Sequence, residues 1–310
     1  MNDRVFRLYP DCKLVLGRNS SAIYDLTRGD IYVVPSELSD LFQGDAAVFD
    51  EKDDRHTEFI AFLLENELGQ FGMPDGIIAI SEEVISPSVI SNCIIETGDS
   101  PLPFTCIAKD LSKLICQAVC IQFLRPVSAE TVSDVCEKFM YGSFRSIEVC
   151  CQYIDGIREL LESIIVSVPL CSKIIVFDSP ENRKEEMSGD VKVCFQKGKI
   201  DCRKTMPGQD YSKLTNANLM QFNEARHYNH CLYGKVCISS TGDVKNCLSQ
   251  VGTFGNINEL YCIGKSLSDI VKGEQFRKLW YRKDEQCREC ELRYACQRCP
   301  LDEPVCTYSH

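Results

Sequence analysis

Five cysteines lie close together near one end of this sequence, in the order Cys287-x2-Cys290-x5-Cys296-x2-Cys299-x6-Cys306. Two C-x2-C pairs at this spacing deliver four thiolates from a few turns of backbone. That is the donor set a soft metal ion or an iron–sulfur cluster takes. A second set lies upstream, Cys231, Cys237 and then Gly242-x4-Cys247. Spacing alone leaves zinc and iron–sulfur both open, because four close thiolates also make a tetrahedral zinc site that folds its domain.

The chain holds 20 cysteines, so the redox compartment decides how they are read. Residues 1–10 carry Asp3, Arg4 and Arg7 and no apolar stretch, unlike a secretory signal. No run approaches the length of a membrane span. The expected location is the cytoplasm, where thiols stay reduced, clustered cysteines mean metal and scattered ones mean packing. Scattered residues such as Cys150 and Cys151, inside the apolar run 147–153, read as small buried hydrophobes. The net charge of −11 and the lack of a basic stripe exclude broad phosphate-backbone binding. Neither nucleic acid nor a membrane is an expected partner.

Three regions must position these cysteines. Residues 1–85 read as strands at 5–9, 13–17, 22–25 and 31–34, then a helix opened by Pro35-Ser36-Glu37 and an amphipathic helix at 56–68, with an acidic loop at 45–56. That is a small α+β domain. Residues 86–220 alternate: strands at 91–96, 118–124, 145–153, 172–178 and 191–196, helices at 104–114, 128–140 and 156–168. Apolar strands alternating with helices mean parallel β/α units, and five strands make a partial barrel or a small open sheet. Residues 221–310 are cysteine-rich, with a hairpin at 235–247 turning at Ser240-Thr241-Gly242-Asp243 and an amphipathic helix at 266–282. The whole is α/β in class.

The third region resembles the SPASM domain, the auxiliary-cluster domain of many radical-SAM peptide-modifying enzymes. Cys231-x10-Gly242-x4-Cys247 fits the first half of that family's pattern and Cys287-x2-Cys290-x5-Cys296 the second. Cys299 comes one residue early and Cys306 supplies the last position. Phe254-Gly255-Asn256-Ile257 sits where such domains have a turn before a helix. More narrowly, Cys287-Arg288-Glu289-Cys290-Glu291-Leu292-Arg293-Tyr294-Ala295-Cys296 and the N-terminal Phe6-Arg7-Leu8 and Ile31-Tyr32-Val33-Val34-Pro35 resemble the SPASM-domain peptide maturase of grasp-with-spasm cassettes, which modify ribosomally made peptides (RiPPs).

The resemblance implies two partners, a small precursor peptide and an ATP-grasp ligase. It also implies that residues 1–85 recognise a leader, an extended peptide adding a strand to an open sheet edge. It implies one or two [4Fe-4S] clusters, with zinc as the alternative. Cys287, Cys290, Cys296 and Cys306 would make one four-thiolate site. Cys231, Cys247 and Cys299 would make a second, three-thiolate site with Cys237 as the possible fourth ligand. The chain departs from the radical-SAM pattern at the C-x3-C-x2-C motif: Cys116-x3-Cys120 is followed by Phe123, and the loop 98–104 holds no cysteine. No SAM-binding cluster is therefore expected, and the barrel-like region reads as a scaffold or a degenerate relic.

No catalytic residue can be named. His227 and His230 flank Cys231 in sequence and read as part of a solvated turn, with cluster tuning or carboxylate binding as the functional alternative. Asp53-Asp54, Glu82-Glu83 and Glu185-Glu186 read as solvated charge. No P-loop, Gly-rich nucleotide motif or nucleophile elbow is present, so the chain is not expected to use ATP itself. The expected function is maturation of a peptide by binding the precursor. An iron–sulfur enzyme acting on a peptide thiol or carrying electrons, and a zinc-binding interaction module, are the alternatives.

Overall fold

The computed structural model describes residues 5–50, 52–73, 86–199, 217–281 and 286–296. In chain order the elements are β1 (Val5–Leu8), β2 (Cys12–Leu16), β3 (Ser20–Asp25), β4 (Asp30–Pro35), α1 (Ser36–Ser39), β5 (Phe42–Gln43), β6 (Ala46–Val48), α2 (Asp54–Glu65) and β7 (Gly69–Phe71). Next come β8 (Asn92–Thr97), α3 (Phe104–Lys113), β9 (Ala118–Phe123), α4 (Ala129–Glu137), β10 (Ser146–Gln152), α5 (Ile157–Ser167), β11 (Cys171–Phe177), β12 (Arg183–Met187) and β13 (Val191–Phe195). Last are α6 (Leu219–His227), β14 (Lys235–Ile238), β15 (Val244–Lys245), α7 (Ile257–Cys262), α8 (Leu267–Lys272) and α9 (Glu274–Arg277), with a 3-10 turn at Gln286–Glu289. The chain is a mixed α/β protein. Among the described residues no helix is long and apolar enough to cross a membrane.

Two compact units form. The first joins Met1–Ile85 to Tyr211–His230 and Arg282–Arg298, three segments far apart in sequence. It holds an antiparallel sheet in the order β5-β6-β1-β7 and an antiparallel sheet in the order β2-β3-β4. Alternation along β1 turns Phe6 and Leu8 inward and leaves Val5 and Arg7 partly exposed. Phe6 meets Phe42, Phe49 and Phe71 edge-on at 5.4–6.5 Å, and Phe59 and Leu63 from one face of α2 join the same core. The Asp53 side chain caps α2 by accepting from the Arg55 amide at 2.9 Å, so this acidic pair includes a helix cap. The stretch expected as an acidic loop contains β6. Three residues are too short to show a period, and pairing with β1 makes them a strand.

The second unit carries an eight-stranded sheet in the order β12-β13-β11-β10-β9-β8-β14-β15. Strands β14, β8, β9, β10, β11 and β13 run parallel, and antiparallel strands flank them at both edges. Sequence neighbours from β8 to β11 are also spatial neighbours. Parallel strands in this order, joined by the right-handed crossovers usual for such units, have their connecting helices on one face. Register gives the sheet two unlike faces. Ile238, Ile95, Ile121, Val149, Ile174 and Val193 lie side by side in one row. A continuous aliphatic row of this kind is what a helix layer buries. The opposite face carries the row Cys237, Ile94, Cys120, Glu148, Lys173 and Lys192.

The hairpin of the cysteine-rich region thus extends the β/α sheet, with Lys235–Ile238 pairing in register with Asn92–Ile95 of β8. Strand β12 is the edge strand that the sequence reading leaves as loop, because its residues Arg183-Lys184-Glu185-Glu186 are charged. Charge suits an exposed edge. The single helix expected at 266–282 is instead α8, α9 and a 3-10 turn at Lys278–Trp280. Gly273, at φ −65° and ψ 142°, leaves the helical region between α8 and α9.

Glu148 sits on the polar face with its Oε2 buried and without a partner among the described residues, and burial raises its pKa. A carboxyl with a raised pKa binds its proton more tightly in the folded than in the unfolded chain. Stability from this group is therefore fully present below the unfolded pKa and is lost as pH rises through the folded value. Glu148→Gln should be more stabilising at pH 7 than at pH 4.5, because the carboxylate whose charge burial opposes is then absent. Urea melts at the two pH values check this, and a pH-independent difference would refute it.

Candidate metal centre

The first cysteine set lies in the second unit, around the β14–β15 hairpin. Gly242 adopts φ 88° in the turn, a conformation that favours glycine, and a Cβ there would press on Asn256 Oδ1 at 3.1 Å. Asn256 in turn caps α7 by accepting from the Asn258 amide at 3.1 Å. The Phe254–Ile257 segment is thus a helix start as well as a turn.

Asn246, fully buried, ties the two cysteine-bearing segments together. Its Nδ2 donates to the carbonyls of Leu232 at 3.0 Å and Lys235 at 2.6 Å. Cys231 and Cys247 consequently pack with Leu232 in one small cluster. Cys237 belongs elsewhere. It packs against Ile94, Cys120, Cys150 and Ile175 on the sheet, and its thiol donates to the Asn246 carbonyl at 3.5 Å. Burial pushes that thiol far above the ordinary cysteine range, so it stays protonated.

Lys235 lies among these sulfurs. It is 5% exposed, and its Nζ donates to Cys231 Sγ at 3.3 Å. No carboxylate forms an ion pair with it among the described residues. Burial opposes its charge most strongly, but the sulfurs of Cys231 and Cys247, carried as thiolates, pull the other way and hold its pKa above the ordinary lysine value. A buried ammonium requires an anion nearby. A buried cation at Cys231, with Cys247 in the same cluster and its Sγ 3.1 Å from Ser249 Oγ, suits a sulfur carried as thiolate better than a neutral thiol.

The second set is a knuckle in the first unit. The chain turns through the 3-10 segment Gln286–Glu289, with the Cys290 amide donating to the Cys287 carbonyl at 3.3 Å and the Cys296 amide to the Leu292 carbonyl at 3.0 Å. Cys287, Cys290 and Cys296 are each half-buried, while Leu292 and Ala295 point into the core and anchor the loop. The β2–β3 hairpin clamps it. The Arg18 amide donates to the Glu289 carbonyl at 2.8 Å, and the Arg18 guanidinium pairs with the Glu289 carboxylate. Ser20 Oγ donates to Glu291 Oε1 at 2.9 Å, and Arg293 Nη1 donates to the Leu16 carbonyl at 2.7 Å.

Tyr24 of β3 is completely buried and donates its hydroxyl to the Glu291 carbonyl at 2.8 Å. Burial raises its pKa and the nearby Cys290 and Cys296 sulfurs push the same way. Its ring sits edge-on to Phe222 of α6 at 5.2 Å, and Phe222 to Tyr294 of the knuckle at 5.0 Å. Sequence reasoning missed α6, although Asn218 is a legible cap that accepts from the Gln221 amide at 2.9 Å. His227 is exposed at the end of that helix. His230 is largely enclosed instead of solvated, and burial lowers its pKa.

Cys299 and Cys306 lie outside the described residues. Among the described residues no three metal-ligating side chains converge. Cys116 is buried just before β9 and donates to the Ala118 carbonyl at 3.3 Å, with burial pushing its pKa up to about 12. Cys120 is in mid-strand, its Sγ 3.7 Å from Cys150 Sγ, and Phe123 is buried at the strand's end. The two cysteines of the incomplete C-x3-C motif are thus core residues. At the C-terminal ends of β8 and β9, a cavity of about 360 Å³ is lined by residues including Leu102, Phe104, Phe123 and Val127, with the Arg125–Asp99 ion pair at its rim.

No family model matches the chain, and no curated protein matches it. Among solved structures it is similar to Streptococcus suis SuiB bound to S-adenosylmethionine, at 12% identity and a TM-score of 0.29, over 96% of this chain and 96% of that one. A second SuiB structure is similar at 11% identity and a TM-score of 0.28, over 95% of this chain and 96% of that one.

Proposed function

We propose that this chain is a maturation protein for a ribosomally made peptide, built on a radical-SAM-related scaffold with a SPASM-type domain. In this reading it binds the precursor and works with an ATP-grasp ligase, and its cysteines hold iron–sulfur clusters. Cys231 and Cys247, with Cys299, would hold one cluster. Cys287, Cys290 and Cys296, with Cys306, would hold the other. When bound, such clusters supply structural cross-linking and a redox centre. The chain's own residues do the rest: Asn246 and Tyr24 position the ligands, and Lys235 supplies positive charge.

The observation that carries the reading is the buried ammonium beside adjacent Cys231 and Cys247, which calls for an anionic thiolate-bound group. Strand β4 is an edge of the β2-β3-β4 sheet that no further strand pairs among the described residues, which supports precursor binding by strand addition. Two measurements on the full chain test the proposal. Anaerobically purified protein should contain iron and acid-labile sulfide, about eight of each for two clusters. It should also retain a precursor peptide and an ATP-grasp ligase when the three are co-expressed. Zinc without sulfide would reduce the cysteines to a structural metal site, and failure to retain either partner would sink the maturation role.

A further inference from the structure

Lys235 is the only lysine buried among the described residues. It opens β14, where Lys235 pairs with Asn92 of β8, and its own carbonyl is held by Asn246 Nδ2 at 2.6 Å. Its position is therefore set by the sheet and by the residue that precedes Cys247. From there its ammonium donates to Cys231 Sγ at 3.3 Å.

We propose that Lys235 is the built-in counter-ion of an anionic iron–sulfur cluster held at Cys231 and Cys247, and that its N–H···S bond to Cys231 raises the reduction potential of that cluster. The inference rests on the iron–sulfur reading of these two cysteines. A [4Fe-4S] cluster with thiolate ligands is a net anion, and each added electron makes it more so. A fixed positive charge nearby, in a site screened little by water, favours the reduced state over the oxidised one. Hydrogen bonds to cluster or ligand sulfur act in the same direction by withdrawing electron density. Lys235 supplies both from one side chain. A lysine at a solvent-exposed position would supply neither with comparable strength, because water would screen it. Lys235 is thus a positioning residue for the cluster's charge and redox poise, and it is not a ligand.

The test uses full-length protein reconstituted without oxygen and an EPR-monitored redox titration. The relevant signal is identified as the one lost in Cys231→Ala. Lys235→Met, which keeps the length of the stem and removes the charge, should retain iron and sulfide. It should lower the midpoint by at least a tenfold change in the reduction equilibrium, about 59 mV for a one-electron couple. Lys235→Arg should stay closer to wild type. A fully loaded Lys235→Met with an unshifted midpoint overturns the role of Lys235 while leaving the iron–sulfur reading intact. Wild-type protein free of iron and sulfide overturns both. Should Lys235→Met fail to fold, electron–nuclear double resonance on the reduced wild type in D2O decides without a variant. An exchangeable deuteron strongly coupled to the cluster is the expected result, and its absence overturns the proposal.

Discussion

Cys231→Ala and Cys247→Ala should each strip about four iron and four sulfide ions per chain from anaerobically purified protein, and Cys237→Ala should strip none. The resemblance implies Cys231 and Cys247 as ligands and leaves Cys237 as a possible fourth. The structure separates them. Cys231 and Cys247 share a cluster with Leu232, held together by the two hydrogen bonds of the Asn246 amide. Cys237 packs on the sheet instead, and its thiol already donates to a backbone carbonyl. A protonated thiol in an apolar setting is a poor ligand, since metals bind thiolate. Replacing it by alanine removes a buried sulfur and should cost about 1–2 kcal/mol of stability without touching the metal. Iron and sulfide analysis of the three variants, with a melting curve for each, makes the comparison. Iron loss in Cys237→Ala as complete as in Cys231→Ala would show that Cys237 is a fourth ligand.

The second large effect is expected at the clamp on the knuckle. Tyr24→Ala should destabilise the first unit by about 3–5 kcal/mol, the range for deleting a fully buried aromatic side chain, and, on the proposed function, should release the metal assigned to Cys287, Cys290 and Cys296. Tyr24 supplies the hydrogen bond to the Glu291 carbonyl and the ring contact with Phe222. Tyr24→Phe keeps the rings packed and removes only the hydroxyl, so it should cost about 1–3 kcal/mol through the unsatisfied carbonyl. Gly17→Ala is an independent probe of the same contact. A Cβ at Gly17 would fall 2.4 Å from the Ser20 carbonyl oxygen and 2.9 Å from the Glu291 amide nitrogen, both backbone atoms that cannot swing away. Chemical denaturation and metal content of the three variants should therefore fall in the order Tyr24→Phe, Gly17→Ala and Tyr24→Ala. Full metal retention in Tyr24→Ala would show that the knuckle holds its ligands without the hairpin.

Much of the β/α alternation was legible in the sequence. Strands β8 to β11 and helices α3 to α5 lie within a few residues of their expected places, because apolar runs and 3.6-residue periods are local properties. Elements whose residues carry no period of their own were not legible. β6 is three residues long, β12 is charged, and α6 buries Phe222, Asn223 and Ala225 behind a polar sequence.

The spacing of Cys231, Cys247, Cys287, Cys290 and Cys296 by itself marked these residues as a candidate thiolate donor set, since ligand type and reach are written in residue identity and separation. Which cysteine faces which neighbour was decided only by tertiary structure. Strand pairing with β8 turns Cys237 into the sheet core, and the Asn246 bridge sets Cys231 beside Cys247. The β2–β3 hairpin, more than 260 residues earlier, closes on the knuckle. Lys235 reads in sequence as one more surface lysine. Its burial beside sulfur depends on long-range packing, and no local pattern encodes a contact that only the folded chain brings together.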